Sequence, residues 1–255
     1  ETLSQLNHPS VLKFIGYSQK NFEGETKPVI ITEYLSHGSL KDLIASSRNP
    51  DSDIELDDTK KIIIIYGIAS AMSYLHSKGL IHRDLKPADI LMDDSLYPVI
   101  ADFGLAKIIH NNDNKTDVTQ SNAGAKGTPV YLAPEIMSQE SEGKKIEYTK
   151  AVDVYAFSII VYELFSKKPP FSNVTAFKLY EKVMKGERPQ LTNEIPEQYR
   201  ELIEKCWSQE PVERPTFDEI VELLKSDDFE KGDVELDEFN KYINYIKSKS
   251  LIYPS

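Results

Sequence analysis

Between Ala151 and Ser166 the chain is apolar on nearly every side. Val152, Val154, Tyr155, Phe157, Ile159, Ile160, Val161, Leu164 and Phe165 leave no polar stripe for solvent. A helix that is hydrophobic all round has to be covered all round, so this segment belongs at the centre of a core. Pro169-Pro170 ends it. Candidates to cover it follow directly: three amphipathic helices at 174 to 185, 196 to 207 and 216 to 225, the last opened by Arg214-Pro215-Thr216. Upstream, apolar residues at 62, 65, 69, 72 and 75 keep helical spacing from Thr59 to Lys78, with Gly79 as the stop. The four isoleucines 62 to 65 alone could form a strand, but the continuing period makes them part of a buried helix.

The rest of the chain adds strands. Val11 to Tyr17 and Lys27 to Tyr34 read as an antiparallel pair around the turn at Asn21 to Gly24. Ile90 to Met92 and Pro98 to Ala101 read as a second, hairpin-like pair. Residues 1 to 7 resemble the last turns of a helix closed by His8-Pro9, Ser39 to Ala45 a short helix, and Ser46 to Asp58 a surface loop. Lys107 to Lys126 has no apolar period after Ile109 and is expected to be a mobile loop. Thirty basic against forty-one acidic residues give a net charge of -11, which argues against nucleic-acid binding, since that needs a basic face. The longest uncharged run, Ile62 to Ser77, falls short of the ~20 residues of a spanning helix, so no membrane span is expected. The single Cys206, beside Trp207 in an apolar-periodic segment, reads as a core thiol in a reducing, cytoplasmic (intracellular) setting.

The chemistry concentrates at His82-Arg83-Asp84-Leu85-Lys86-Pro87-Ala88-Asp89 and at Asp102. Three carboxylates on neighbouring loop segments repel one another, by ~4 kcal/mol per pair at 4 Å and an effective dielectric near 20. They call for a divalent cation. Oxygen-only ligands point to magnesium rather than zinc, because neither Cys206 nor the scattered histidines supply a soft set. Magnesium beside a lysine points to phosphate.

These residues also carry a resemblance. His82-Arg-Asp-Leu-Lys-Pro87, Asp102-Phe-Gly104 and Ala133-Pro-Glu135 follow in the order of the eukaryotic protein kinase motifs, and the chain resembles that family. The resemblance implies an α+β, protein-kinase-like two-lobed fold with a truncated small β lobe and a mainly helical large lobe. Residues 1-225 would form the kinase domain, with 1-35 a small-lobe remnant and hinge and 36-225 the large lobe. Residues 226-255, which the resemblance does not cover, read from their own pattern as a charged tail with an amphipathic helix near 236 to 247. The implied cofactors are ATP and Mg2+. Asp84 resembles the base that accepts the substrate hydroxyl proton, Lys86 the residue that neutralises the transferring phosphate, and Asp102 and Asp89 the magnesium ligands. Thr32 resembles the gatekeeper, Glu33 and Leu35 the hinge residues whose backbone holds adenine, and Leu91 the floor beneath it. His82 and Phe103, with Leu3 and Phe14, resemble a stacked apolar spine anchored by Asp153.

Lys86 and Gly127-Thr128-Pro129-Val130-Tyr131 are the serine/threonine pattern, with Thr128 reaching toward Asp84 and Lys86. Asp153-Val-Tyr-Ala-Phe157 and the stretch from Cys206-Trp207 to Phe217 lean toward the tyrosine-kinase-like group, and Arg214 would pair with Glu135. Thr116, Thr119 and Ser121 are candidate phosphorylation sites through which Arg83 could be engaged. The implied activity is transfer of the ATP γ-phosphate to protein serine or threonine hydroxyls. The alternative is a non-catalytic kinase-like scaffold that binds protein partners.

Three departures stand out. Asp89 occupies the position where kinases carry Asn, and a carboxylate lacks the amide donor. Ser158 stands where Gly is common. No glycine-rich loop and no paired strand lysine occur, so a further segment upstream of Glu1 carrying both is expected. In the tail, Asp227 to Glu238 resembles a calcium loop only superficially, because Phe229 and Lys231 occupy ligand positions.

Overall fold

The computed structural model describes residues 3–49, 56–103, 106–108, 119–121, 128–172 and 174–251. Its centre is the segment that the sequence requires to be buried. Helix α4 (Ala151–Ser166) is buried at every position from Val152 to Ser166 and stops where Lys167 turns left-handed at φ 52°. Eight strands, β1 to β8, and eight α-helices, α1 to α8, follow in chain order among the described residues. Strands β1 (Phe14–Ser18) and β2 (Val29–Thr32) form an antiparallel pair with a bulge between Phe14 and Gly16. Outward-facing Ile15 and Ile30 are 61% and 59% exposed, so this pair has a bare apolar face.

Helix α1 (Leu40–Ser46) starts at a capping box, Ser39 receiving Asp42 N–H while the Asp42 carboxylate takes the Ser39 N–H. Helix α2 (Asp58–Ser77) is capped by Asp57, which accepts from Lys60 N–H at 2.7 Å. All four isoleucines from Ile62 to Ile65 are buried in it, each contributing about 1.5–3 kcal/mol of hydrophobic stabilisation. Gly79, at φ 72°, supplies the left-handed turn into β3 (Leu80–Ile81). A hairpin follows, β4 (Ile90–Met92) against β5 (Pro98–Ile100).

Two expectations are corrected. The described start is a 3-10 turn at Leu3–Gln5 where α-helical turns were expected. The stretch 107 to 126, expected as one mobile loop, contains two strands. β6 (Lys107–Ile108) pairs with β3, and β7 (Thr119–Ser121) pairs with β8 (Ile146–Tyr148). Local polarity hid both, because ladder hydrogen bonds to a partner distant in sequence leave no apolar period.

Helices α3 (Pro134–Ser141), α5 (Ala176–Met184), α6 (Glu197–Cys206), α7 (Phe217–Lys225) and α8 (Leu236–Leu251) complete an α+β fold of four two-stranded sheets and eight α-helices among the described residues. α7 and α8 pack on α2, and α6 packs on α4. The tail helix is part of the core: Phe239, Tyr242, Ile243 and Ile246 are buried in the same cluster as α2 and α4. Among the described residues, no helix is long and apolar enough to cross a membrane.

Candidate active site

The site is built on the loop leaving β3. Asp153, in the first turn of α4 and 1% exposed, accepts the backbone N–H groups of His82 and Arg83 at 2.9 Å each. His76 Nε2 of α2 lies 2.8 Å from the same carboxylate. Three donors satisfy a charge whose burial alone would be strongly unfavourable. This grip holds Arg83 in a left-handed conformation at φ 69°, which a non-glycine residue adopts only where its surroundings impose it. His82 is itself buried, its ring 5.7 Å from that of Phe103 and its Nε2 3.1 Å from the Ala101 carbonyl. Its Nε2 and its ring thus pack the loop, while Nδ1 is buried without a hydrogen bond.

Beyond this anchor the charged residues converge. The Asp84 carboxylate receives the Lys86 ammonium on one oxygen. Its other oxygen takes the Thr128 N–H at 2.8 Å and the Thr128 hydroxyl at 3.2 Å. Lys86 Nζ is also 3.5 Å from Asp89 Oδ2. Asp89, in a 3-10 turn (Pro87–Asp89), is buried, and that oxygen has no hydrogen bond. Asp102, two residues after β5, is exposed and has φ 54°, a second left-handed non-glycine residue in the site.

The electrostatics follow from this crowding. Burial pushes the Asp89 carboxyl up to about 7, with Lys86 opposing the rise and the negative charges of Asp84 and Asp102 adding to it. For Lys86, burial disfavours the ammonium, but the two carboxylates outweigh it and hold its pKa above the ordinary lysine range. Asp89 Oδ2, a buried hard oxygen without a hydrogen bond, is the kind of ligand magnesium takes. Among the described residues no group of three or more His, Cys, Asp or Glu side chains forms a metal cage.

The expected nucleotide residues lie along the chain leaving β2. Thr32 donates its hydroxyl to the Glu33 carbonyl at 3.1 Å, and Glu33 is held from both ends, its N–H on the Lys13 carbonyl and its carboxylate on the Lys13 N–H. Leu35 is half-buried. An isolated bridge between Ser39 and Leu91 brings the chain after this segment alongside Leu91. Thr128 opens a 3-10 turn (Pro129–Tyr131) that is fixed from below, the Tyr131 hydroxyl donating to Glu163 of α4 at 2.5 Å. Glu135 and Arg214 form a bidentate pair at 2.8 and 2.7 Å, with the Arg214 side chain fully buried and bonded also to the Ala151 and Ser208 carbonyls.

Sequence reasoning missed His76, Tyr131 and Glu163. His76 could have been found as a polar residue on the buried face of α2; Tyr131 and Glu163 carry no sequence signal that pairs them. Gly104, Thr116 and Gly127 lie outside the described residues. Thr119 and Ser121 sit in β7 opposite Tyr148 and Ile146, and the Arg83 guanidinium stands 5.1 Å over the Tyr148 ring.

The sequence matches the family model for protein tyrosine and serine/threonine kinase over residues 1–224. The chain belongs to this protein kinase family. It is 37% identical over 226 residues to a probable serine/threonine-protein kinase of Dictyostelium discoideum, covering 87% of this chain and 22% of that protein. It is 34% identical over 226 residues to a protein of Acanthamoeba polyphaga mimivirus named as a serine/threonine-protein kinase/receptor, covering 87% of this chain and 12% of the other. A third relative, the RGS domain-containing serine/threonine-protein kinase A of Dictyostelium discoideum, is 33% identical over 224 residues, 88% of this chain and 18% of its own length. The chain therefore spans about an eighth to a fifth of the length of these curated relatives. Membership of a protein kinase family implies ATP and magnesium in general.

Proposed function

We propose that this chain supplies the phosphoryl-transfer site of a serine/threonine protein kinase of the tyrosine-kinase-like group, using ATP and Mg2+. The observation that carries the reading is Asp84: a partly buried carboxylate held from opposite sides by Lys86 and by Thr128. In this reading Asp84 orients the incoming hydroxyl and accepts its proton as the new bond to the γ-phosphorus forms and the bond to ADP breaks. Lys86 neutralises charge on the transferring group. Thr128, at the start of the turn that would receive the substrate, links hydroxyl recognition to Asp84. Asp89 and Asp102 would hold magnesium, which supplies charge neutralisation on the phosphates. Thr32, Glu33, Leu35 and Leu91 would hold the adenine.

The proposed organisation is a hinge and small-lobe remnant over 1-35 and a large lobe over 36-225. The proposed substrates are proteins bearing serine or threonine, and the single buried thiol Cys206 supports an intracellular setting. The test is ATP-dependent phosphorylation of the full-length protein itself and of added basic protein substrates. Transfer in magnesium that drops by at least about 10²-fold in Asp84→Asn is the expected result. A full-length protein that binds ATP and transfers nothing, in magnesium or manganese, would refute it.

A further inference from the structure

The tail helix lies far in sequence from the reacting groups, yet its most buried residue reaches the strap beside them. Tyr242 of α8 is fully buried, and its hydroxyl is hydrogen-bonded to Ser10 Oγ at 3.0 Å. Its ring is packed edge-on against Tyr66 of α2 and lies 4.4 Å from that of Tyr97. The fit is tight enough that a Cβ on Gly67 would stand 2.2 Å from the Tyr242 hydroxyl and 2.5 Å from Pro98. Helix α8 is also tied at its base, where Glu235 N–H donates to the Thr59 hydroxyl at 2.9 Å.

What Tyr242 holds is a short strap across the end of β5. The Ser10 carbonyl accepts the Ile100 N–H at 2.8 Å, and Leu12 N–H donates to the Ile100 carbonyl at 2.9 Å. The strap's other end is docked on α2, with Asn7 N–H on the Tyr74 hydroxyl and the His8 ring stacked on Tyr74. Immediately after Ile100, Ala101 N–H donates to the Asp89 carbonyl at 2.7 Å, its own carbonyl faces His82, and the next residue is Asp102. Of the two carboxylates read as magnesium ligands, Asp102 therefore follows two residues after Ile100, the end of β5 clamped between β4 and this strap, and Asp89 stands one residue before β4 and bonds the intervening Ala101.

We infer that α8 is a built-in brace and that Tyr242 is a positioning residue, fixing Ser10 so that the strap holds the end of β5 from which Asp102 departs and on which Asp89 rests. The part of this inference that concerns magnesium rests on the phosphoryl-transfer reading; the mechanical part does not.

The experiment uses the full-length protein and its Tyr242→Phe, Ser10→Ala and double variants, which remove one hydrogen bond and keep the ring. Amide hydrogen exchange at Leu12 and Ile100 is expected to quicken about tenfold in each single variant. Exchange in α6 and α7 should stay unchanged, and the double variant should be no faster than the singles. The magnesium concentration for half-maximal phosphoryl transfer should rise several-fold, with the rate at saturating magnesium nearly kept. A control substitution in α7, Ile220→Val, should move neither quantity. Unchanged exchange at Leu12 and Ile100, or faster exchange spread evenly over the molecule, overturns the inference, as does an unchanged magnesium requirement in an active wild type. If the wild type transfers no phosphate, the kinase reading fails and the exchange data alone decide the brace.

Discussion

Mild acid should act on this fold through His8. The residue is buried, and its two ring nitrogens are committed: Nδ1 accepts the Ser10 N–H at 3.1 Å, so Nε2 must carry the proton and faces the Ser70 hydroxyl at 3.2 Å. Protonating Nδ1 would set one N–H against another. Burial lowers its pKa from 6.5 to about 4. A depressed histidine pKa means that the unfolded chain takes up a proton the folded chain refuses, so stability is lost as pH falls from 6.5 toward 4. At about 1.4 kcal/mol per pH unit, the loss between pH 7 and pH 5 is about 2 kcal/mol. Asp89 works in the opposite sense, because its raised pKa makes the folded state the better proton acceptor between pH 7 and pH 4. The wild-type curve alone therefore mixes the two. His8→Asn separates them: an asparagine at this position can still accept from the N–H two residues on but does not titrate. Urea unfolding followed by the fluorescence of the one tryptophan, the buried Trp207, gives the measurement. The wild type should lose about 2 kcal/mol more than His8→Asn between pH 7 and pH 5. Parallel curves over that range would show that His8 titrates normally and would refute the reasoning.

Asp89→Asn should unfold later than the wild type at neutral pH, with an advantage in urea midpoint that grows from pH 4 to pH 7 and levels off above, because the variant no longer carries the buried charge. Arg214→Ala should lose about 3–5 kcal/mol in denaturant unfolding, since it strands the Glu135 carboxylate; a loss below 1 kcal/mol would mean the pair is solvated. Gly67→Ala should lower stability by roughly 1–3 kcal/mol through overpacking against Tyr242 and Pro98, and a thermal melt at or above the wild-type midpoint would contradict the tight fit. Cys206, buried with its thiol pKa pushed up by that burial, should react with a thiol reagent only at the rate of global unfolding.

The parts of the fold legible in the sequence are those whose signal is local. The all-apolar period of α4, the isoleucine-rich helix α2 and the hairpin β4–β5 could be read from patterns within one segment. β6, β7 and β8 could not, because a two- or three-residue strand pairs through backbone groups that any sequence possesses. The site divides the same way. Asp84, Lys86, Asp89 and Asp102 are legible because they stand on two short loop segments joined by one hairpin. His76, Tyr131 and Glu163 act from three separate elements, and their contacts exist only after α2 and the Pro129–Tyr131 turn pack on α4. The tail helix was legible as an amphipathic helix, but its place in the domain core was not, because the surface that Phe239, Tyr242, Ile243 and Ile246 cover is decided only when α8 packs on α2.

The one substitution in the motif gains its meaning from the same geometry. An asparagine at position 89 would offer a side-chain donor that an aspartate lacks. The loop is held otherwise. Asp89 N–H donates to the Lys86 carbonyl at 3.0 Å, its own carbonyl takes the Ala101 N–H, and His82 and Arg83 hang by their backbone from Asp153. None of these bonds uses the side chain at 89. Replacing an amide by a carboxyl at that position therefore leaves the frame in place and changes the charge of the site, adding a buried acid beside Lys86 at the proposed magnesium ligand. The effect of Asp89 on phosphoryl transfer should accordingly follow its protonation and metal occupancy, and not a collapse of the loop that carries Asp84.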